Sequence, residues 1–208
     1  WETFNQCVFP FRTRLDPAIL EEILAVYHQI PLTAAEEKQF GELLSRLLAN
    51  GLVEAGSLHA LLSPGKEGDI DLKKLRLYGL FLLCSGKEDE FAKLFTACNQ
   101  ELAPCLVLID LLEEETKYEQ AKALLKKNLL KFTTPADRYV LRYRLAQLYR
   151  KTGELRPALF LEMLNFTARP GKKEYLQLKE LAVTVGEWEA VKKRLMGLKT
   201  GDEKDILN

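Results

Sequence analysis

One short element recurs five times, and no other feature restricts the fold as strongly. A chain-reversing residue is followed by a helix-forming run: GLVEAG from Gly51, GKEDEF from Gly86, TKYEQA from Thr116, GELRPA from Gly153 and GEWEAV from Gly186. The spacings are 35, 30, 37 and 33 residues. Glycine suits the reversal because it reaches positive φ without strain. The third position holds Val53, Glu88, Tyr118, Leu155 and Trp188, expected to pack back on the preceding helix. The sixth holds Gly56, Phe91, Ala121, Ala158 and Val191, mostly small, so that two helices approach closely. One such pair cannot bury its apolar face alone, so pairs must stack.

The rest of the sequence agrees with an all-α chain. Leu, Ala, Glu and Lys dominate, and these favour helix. Eight prolines and twelve glycines are few for an all-β design of 208 residues. Asp16-Pro17 reads as a helix start. Ile19, Leu20, Ile23, Leu24 and Tyr27 follow at helical spacing. Pro31 ends that helix, and Thr33 with Glu36 reads as a capping box. Phe40, Leu43, Leu44, Leu47 and Leu48 form the next stripe, closed by Asn50-Gly51. A short helix is expected from Val53 to Leu62, then a turn-rich loop over 63–69. Residues 70–84 and 103–112 are apolar nearly all round, as buried helices are. The expected architecture is an antiparallel helix-hairpin array of about eleven helices in a right-handed stack.

Four segments are expected. Residues 1–15 carry Trp1, Phe4, Phe9 and Phe11 and are expected to cap the first helices or to have met a preceding domain, with a short strand as the alternative. Residues 16–69 form an N-terminal helical part, 70–199 the hairpin repeats and 200–208 a tail. With Trp1 in place of Met, the chain is expected to be a piece of a longer one.

Candidate chemistry is sparse. The cysteines, Cys7, Cys84, Cys98 and Cys105, match no CxxC metal pair. Cys84 and Cys105 sit in apolar runs and read as small core residues. A reducing compartment is expected, and with no signal peptide or apolar run long enough to span a bilayer, a cytoplasmic one. His28 suits a helix C-terminus and His59 sits in LHALL; neither has a metal-ligand partner at close spacing. No nucleophile elbow or Gly-rich phosphate loop is present. Glu113, Glu114 and Glu115 point around a helix and read as a solvated end. No catalytic residue, metal or cofactor is assigned.

Charge is the more informative signal. The formal net charge is zero, yet residues 1–116 carry 10 Lys/Arg against 19 Asp/Glu, and residues 117–208 carry 20 against 11. In the basic half, Arg138 and Arg142 lie near Tyr139 and Tyr143. Cations interleaved with aromatics suit an acidic peptide or, as the alternative, a nucleic acid. Solvated arginines beside core tyrosines are the plain reading of the same residues.

The best-formed hairpin runs from Arg138 to Pro170, and it resembles a tetratricopeptide repeat. Leu145, Ala146, Tyr149, the close-contact Ala158 and the terminating Pro170 carry the resemblance, which spans about residues 100–198. Arg142 and Glu162 depart from it, standing where the family has Trp and Phe. The resemblance implies a TPR-like α-solenoid acting as a non-catalytic protein-binding scaffold. It places Tyr143, Gln147 and Arg150 on the inner, partner-facing side, with Arg142 at its edge. A narrower likeness joins residues 172–198, through Tyr175, Leu178, Leu181, Trp188 and Leu195, to the helical part of bacterial SWIM zinc-finger proteins. The finger itself is absent, so no zinc is implied.

Overall fold

The computed structural model describes residues 15–64 and 70–197. The aromatic segment before Leu15 with Cys7, most of the 63–69 loop and the 200–208 tail lie outside the described residues. Among the described residues there are eleven helices: α1 Pro17–Gln29, α2 Ala34–Ala49, α3 Ala55–Leu62, α4 Leu72–Cys84, α5 Glu88–Cys98, α6 Leu102–Glu114, α7 Tyr118–Lys131, α8 Pro135–Lys151, α9 Leu155–Ala168, α10 Lys172–Val185 and α11 Trp188–Gly197. The all-α helix-hairpin architecture expected from the sequence is the one observed.

Short polar residues start four of the helices. Asp16 accepts from the Ala18 amide at 2.9 Å, and Asp71 from Lys73 and Lys74 at 2.9 and 3.0 Å. Thr33 and Glu36 form the expected capping box. Thr134 accepts from Asp137 at 3.1 Å, with Pro135 in the first turn. Each such cap is worth about 1 kcal/mol.

The five recurring turns share one geometry. Gly51, Gly86, Thr116, Gly153 and Gly186 all have positive φ, between 57° and 81°. In each, the turn amide donates to the carbonyl three residues back, and the next amide to the carbonyl five before it. At the fourth turn these are Gly153 to Arg150 at 3.1 Å and Glu154 to Tyr149 at 2.8 Å. This is the Schellman closure, which satisfies carbonyls the helix end leaves open. Thr116 is the exception in chemistry: a β-branched residue at φ 57°, where such residues are strained.

The chain divides into two compact units, Trp1–Leu111 and Leu112–Asn208. In the first, α2 packs on α4, and α4 also meets α3 and α5. Leu75, Leu77, Leu80, Phe81 and Leu82 are all buried, so α4 is covered around its circumference, as its apolar sequence requires. Gly41 lets α2 approach: a Cβ there would lie 3.1 Å from the Leu80 Cβ. Gly79 is tighter, since a Cβ would meet Leu111 Cδ1 at 2.6 Å.

Three expectations need correction in this unit. The short helix starts at Ala55, not Val53. Leu52 and Val53 are buried in the bend before it, and the Leu52 carbonyl accepts from Leu15 at 2.7 Å. The helix register slips by two, so Gly56 is exposed and Leu58 takes the core position. His28 does not supply the charge at the end of α1. Lys73 does: its amine reaches the carbonyls of Tyr27, His28 and Ile30 at 2.8, 3.0 and 2.9 Å. Burial lowers the His28 pKa instead, so its ring favours the neutral form. Cys84 is half-buried, while Cys98 and Cys105 are fully buried.

In the second unit α7, α8, α9, α10 and α11 pack each on the next. Ala121, Ala158 and Val191 fill the sixth position and are buried, as expected, and Phe91 does the same in the first unit. The third position is only half-buried at Tyr118, Leu155 and Trp188, and Glu88 is exposed. The carboxylate run is not simply solvated: Glu113 accepts from Arg144 at 2.9 Å and is mostly buried. Lys122, only 2% exposed, pairs with Glu119 and Glu154 and ties α7 to the turn before α9.

Candidate functional site

The two departures from the repeat pattern, Arg142 and Glu162, belong to one polar cluster where α8, α9 and α10 meet. Arg142 and Arg150 stand two turns apart on α8. Glu162 and Asn165 stand one turn apart on α9, each 1% exposed. Arg142 Nε donates to Asn165 Oδ1 at 2.9 Å. Arg150 Nη2 donates to Glu162 Oε1 at 3.3 Å and to the Gln177 carbonyl of α10 at 3.1 Å. Where the family pattern stacks apolar side chains, this hairpin couples its helices through polar groups.

The cluster is incompletely satisfied. Glu162 Oε2, Asn165 Nδ2 and Arg150 Nε are buried with no hydrogen-bond partner among the described residues. Burial raises the Glu162 pKa, outweighing the attraction of Arg150. A polar core of this kind costs stability relative to an apolar one.

Outside this core the surface is cationic and aromatic. Lys173 Nζ stands 5.5 Å from the Tyr143 ring centroid, and the Arg169 guanidinium carbon 5.8 Å from that of Tyr139. The Tyr139 hydroxyl donates to Glu174 at 2.7 Å. Burial and that carboxylate push the Tyr139 pKa up to about 12. The same hydrogen bond holds Glu174 below the usual carboxylate range. Burial, and then the neighbouring Arg138, lower the pKa of Arg142.

The four residues singled out in the sequence therefore differ in what they can do. Arg142 and Tyr143 belong to the cationic surface, and Gln147 is half-buried one turn further along α8. Arg150 is committed to Glu162 and Gln177. The sequence reading missed Asn165, Lys173 and Arg169 as members. Asn165 had a legible signal, a polar residue three after Glu162 on an otherwise apolar face; Lys173 and Arg169 had none. Among the described residues no group of three or more His, Cys, Asp or Glu is placed to hold a metal ion, and no helix is long and apolar enough to cross a membrane.

A second polar group lies in the first unit. His59 Nδ1 and the Tyr78 hydroxyl are 2.5 Å apart, and His59 Nε2 lies 3.4 Å from Lys87 Nζ and 3.6 Å from Glu90. It joins α3, α4 and α5.

No family model matches the chain, and no curated protein matches it. The likeness of 172–198 to SWIM zinc-finger proteins is therefore without support. Among solved structures, MamA AMB-1 aligns at 17% identity over 83% of this chain and 94% of its own, with a TM-score of 0.42. Two structures of a MamA point mutant align similarly, at 16% identity with a TM-score of 0.42 and at 17% with 0.40, over 84% and 76% of this chain and 93% and 90% of theirs. So low an overlap carries no weight for function. The hairpin architecture rests on the helices and turns themselves.

Proposed function

We propose that the chain is a non-catalytic interaction scaffold that captures an acidic protein segment on the α8–α10 face. The observation that carries this reading is the state of Arg142. Its Nε is held by wholly buried Asn165, and among the described residues no carboxylate forms an ion pair with it. Arg138, Arg169 and Lys173 add to the same field. Of the nearby carboxylates, Glu174 is tied to Tyr139 and Glu162 lies in the core. A guanidinium fixed from beneath has lost its rotamer freedom before binding, so less entropy is lost on meeting a carboxylate. Exposed cations around it raise the on-rate.

The test is binding of a fluorescein-labelled Glu/Asp-rich peptide to the full chain. Arg138→Glu with Arg142→Glu is expected to weaken binding at least about tenfold, the effect of losing two charge-assisted contacts. Arg150→Gln is expected to matter less. Unchanged affinity in the double variant would overturn the proposal. So would tighter binding of a single-stranded oligonucleotide than of the peptide, falling steeply with salt.

A further inference from the structure

The α8–α10 face carries an apolar component that charge alone does not explain. On α10, Lys172, Leu176, Lys179 and Val183 follow at steps of four, three and four residues. That spacing lines them up along one side of the helix. Leu176 is 53% exposed and Val183 57%. The opposite side, with Leu178, Leu181 and Ala182, is buried. Single exposed apolar side chains are ordinary, but here two fall in register and alternate with cations. The stripe borders the α8 surface, because Lys173 of the same helix stands 5.5 Å from the Tyr143 ring centroid.

We propose that the segment captured on this face is an amphipathic acidic helix. It docks along α10 with its apolar residues on Leu176 and Val183 and its carboxylates on Lys172 and Lys179. The inference rests on the reading of this face as a site for an acidic segment, and adds the conformation and pattern of that segment. Charge complementarity supports the carboxylates. α10 carries three lysines against two glutamates, and one of those, Glu174, is tied to Tyr139. Among the described residues neither Lys172 nor Lys179 forms an ion pair; Lys179 stands 5.7 Å from the Trp188 ring centroid.

The spacing supports a helix. Leu176 and Val183 are seven residues apart, roughly 10 Å along the axis at 1.5 Å per residue. A partner helix meets both with residues at i and i+7, an anchor spacing of helices laid in grooves. An extended segment repeats same-side positions roughly every 6.6 Å, so both cannot be met in one register. The order cation, apolar, cation, apolar on α10 sets the partner's pattern. A parallel helix carries acidic, apolar, acidic and apolar residues at steps of four, three and four, and an antiparallel one the reverse order. A lipid surface is the poorer fit, since two apolar side chains bury little and Glu180 is exposed beside them.

The test measures fluorescence anisotropy of labelled peptides of about 18 residues, long enough to form a helix on binding, with the full chain. One carries acidic and apolar residues in the matching pattern, in parallel and antiparallel versions. A second has the same composition scrambled, and a third has acidic residues without apolar ones. The better patterned peptide is expected to bind at least about tenfold tighter than its scramble, the effect of seating two apolar side chains. Leu176→Ser with Val183→Ser is expected to remove that difference and to leave the affinity of the third peptide unchanged, which shows the fold intact. Equal binding of patterned and scrambled peptides, or a difference that survives in the double variant, would overturn this inference and keep the acidic-segment reading. Binding of none of the peptides would overturn both. Tighter binding to phosphatidylserine vesicles than to any peptide, lost in the double variant, would overturn it in favour of a membrane surface.

Discussion

The two units are closed by the same turn and packed by different means. In Trp1–Leu111 the closest approaches are made by glycines inside helices, Gly41 and Gly79. In Leu112–Asn208 the small residues inside the helices are alanines, Ala121, Ala146, Ala158 and Ala182, each fully buried. A helix-interior glycine costs about 0.5–1 kcal/mol relative to alanine, so the first unit accepts a backbone penalty for proximity that the second does not need. Both also place an Arg–Glu pair between helices. Arg76 reaches Glu37 at 2.5 Å, with the Tyr27 hydroxyl donating to the same carboxylate at 3.4 Å. Arg150 reaches Glu162 at 3.3 Å, leaving one carboxylate oxygen unpartnered. The polar core of the second is under-satisfied, and the candidate binding face lies over it.

Five substitutions would break or sharpen this contrast. The largest expected effect is at Gly79. Alanine is the better helix former, yet its Cβ would lie 2.6 Å from Leu111 Cδ1 and press on Leu108 Cδ2 at 3.1 Å. Gly79→Ala should therefore destabilise by about 1–3 kcal/mol, the range for overpacking, seen as a lower denaturant midpoint. Ala158→Gly in the second unit should also destabilise, but through backbone entropy, by about 1 kcal/mol. A stabilising Gly79→Ala would show that the first unit is not close-packed there.

The turns give the next effect, with opposite signs. Thr116→Gly should stabilise by about 0.5–1 kcal/mol by relieving a left-handed β-branched residue. Gly153→Ala should destabilise by about 1–2 kcal/mol. A Cβ at Gly153 would meet nothing within 4 Å, so conformation alone is responsible. Thermal melts of both variants check the pair; equal signs would mean that the two turns are not equivalent.

The smallest effect is the pH dependence set by Glu162. Its pKa is higher folded than unfolded, because burial penalises the carboxylate. Its contribution to stability is thus fully present below the unfolded pKa and is lost as pH rises through the folded one. Relative to Glu162→Gln, the unaltered chain should melt progressively lower as pH rises from about 4 to 7. A gap independent of pH would show that Arg150 fully compensates the charge.

Much of the fold was legible because helix ends are local. Asp16, Thr33, Gly51, Gly86, Gly153 and Gly186 act on amides or carbonyls within a few residues, so their types and spacing suffice. Leu145, Ala146 and Ala158 were legible as core because helical periodicity places them on one face. The partnerships of charged residues were not legible. Arg142 and Asn165 are 23 residues apart in the chain, and Lys73 and Tyr27 are 46. Glu113 read as solvated because nothing near it in sequence reveals Arg144.

The sequence by itself determined an all-helical chain of hairpins, where five reversals fall, and which half is basic. Backbone closure and burial periodicity are short-range, and a local pattern encodes them. Only the tertiary structure decided which cations are already paired. It committed Arg150 to buried Glu162, tied the buried Lys122 to Glu119 and Glu154, and left Arg142 with no carboxylate ion-pair partner among the described residues. Charge pairing depends on distances between helices, and those are set by how closely Gly41, Gly79, Ala146 and Ala158 let the backbones approach.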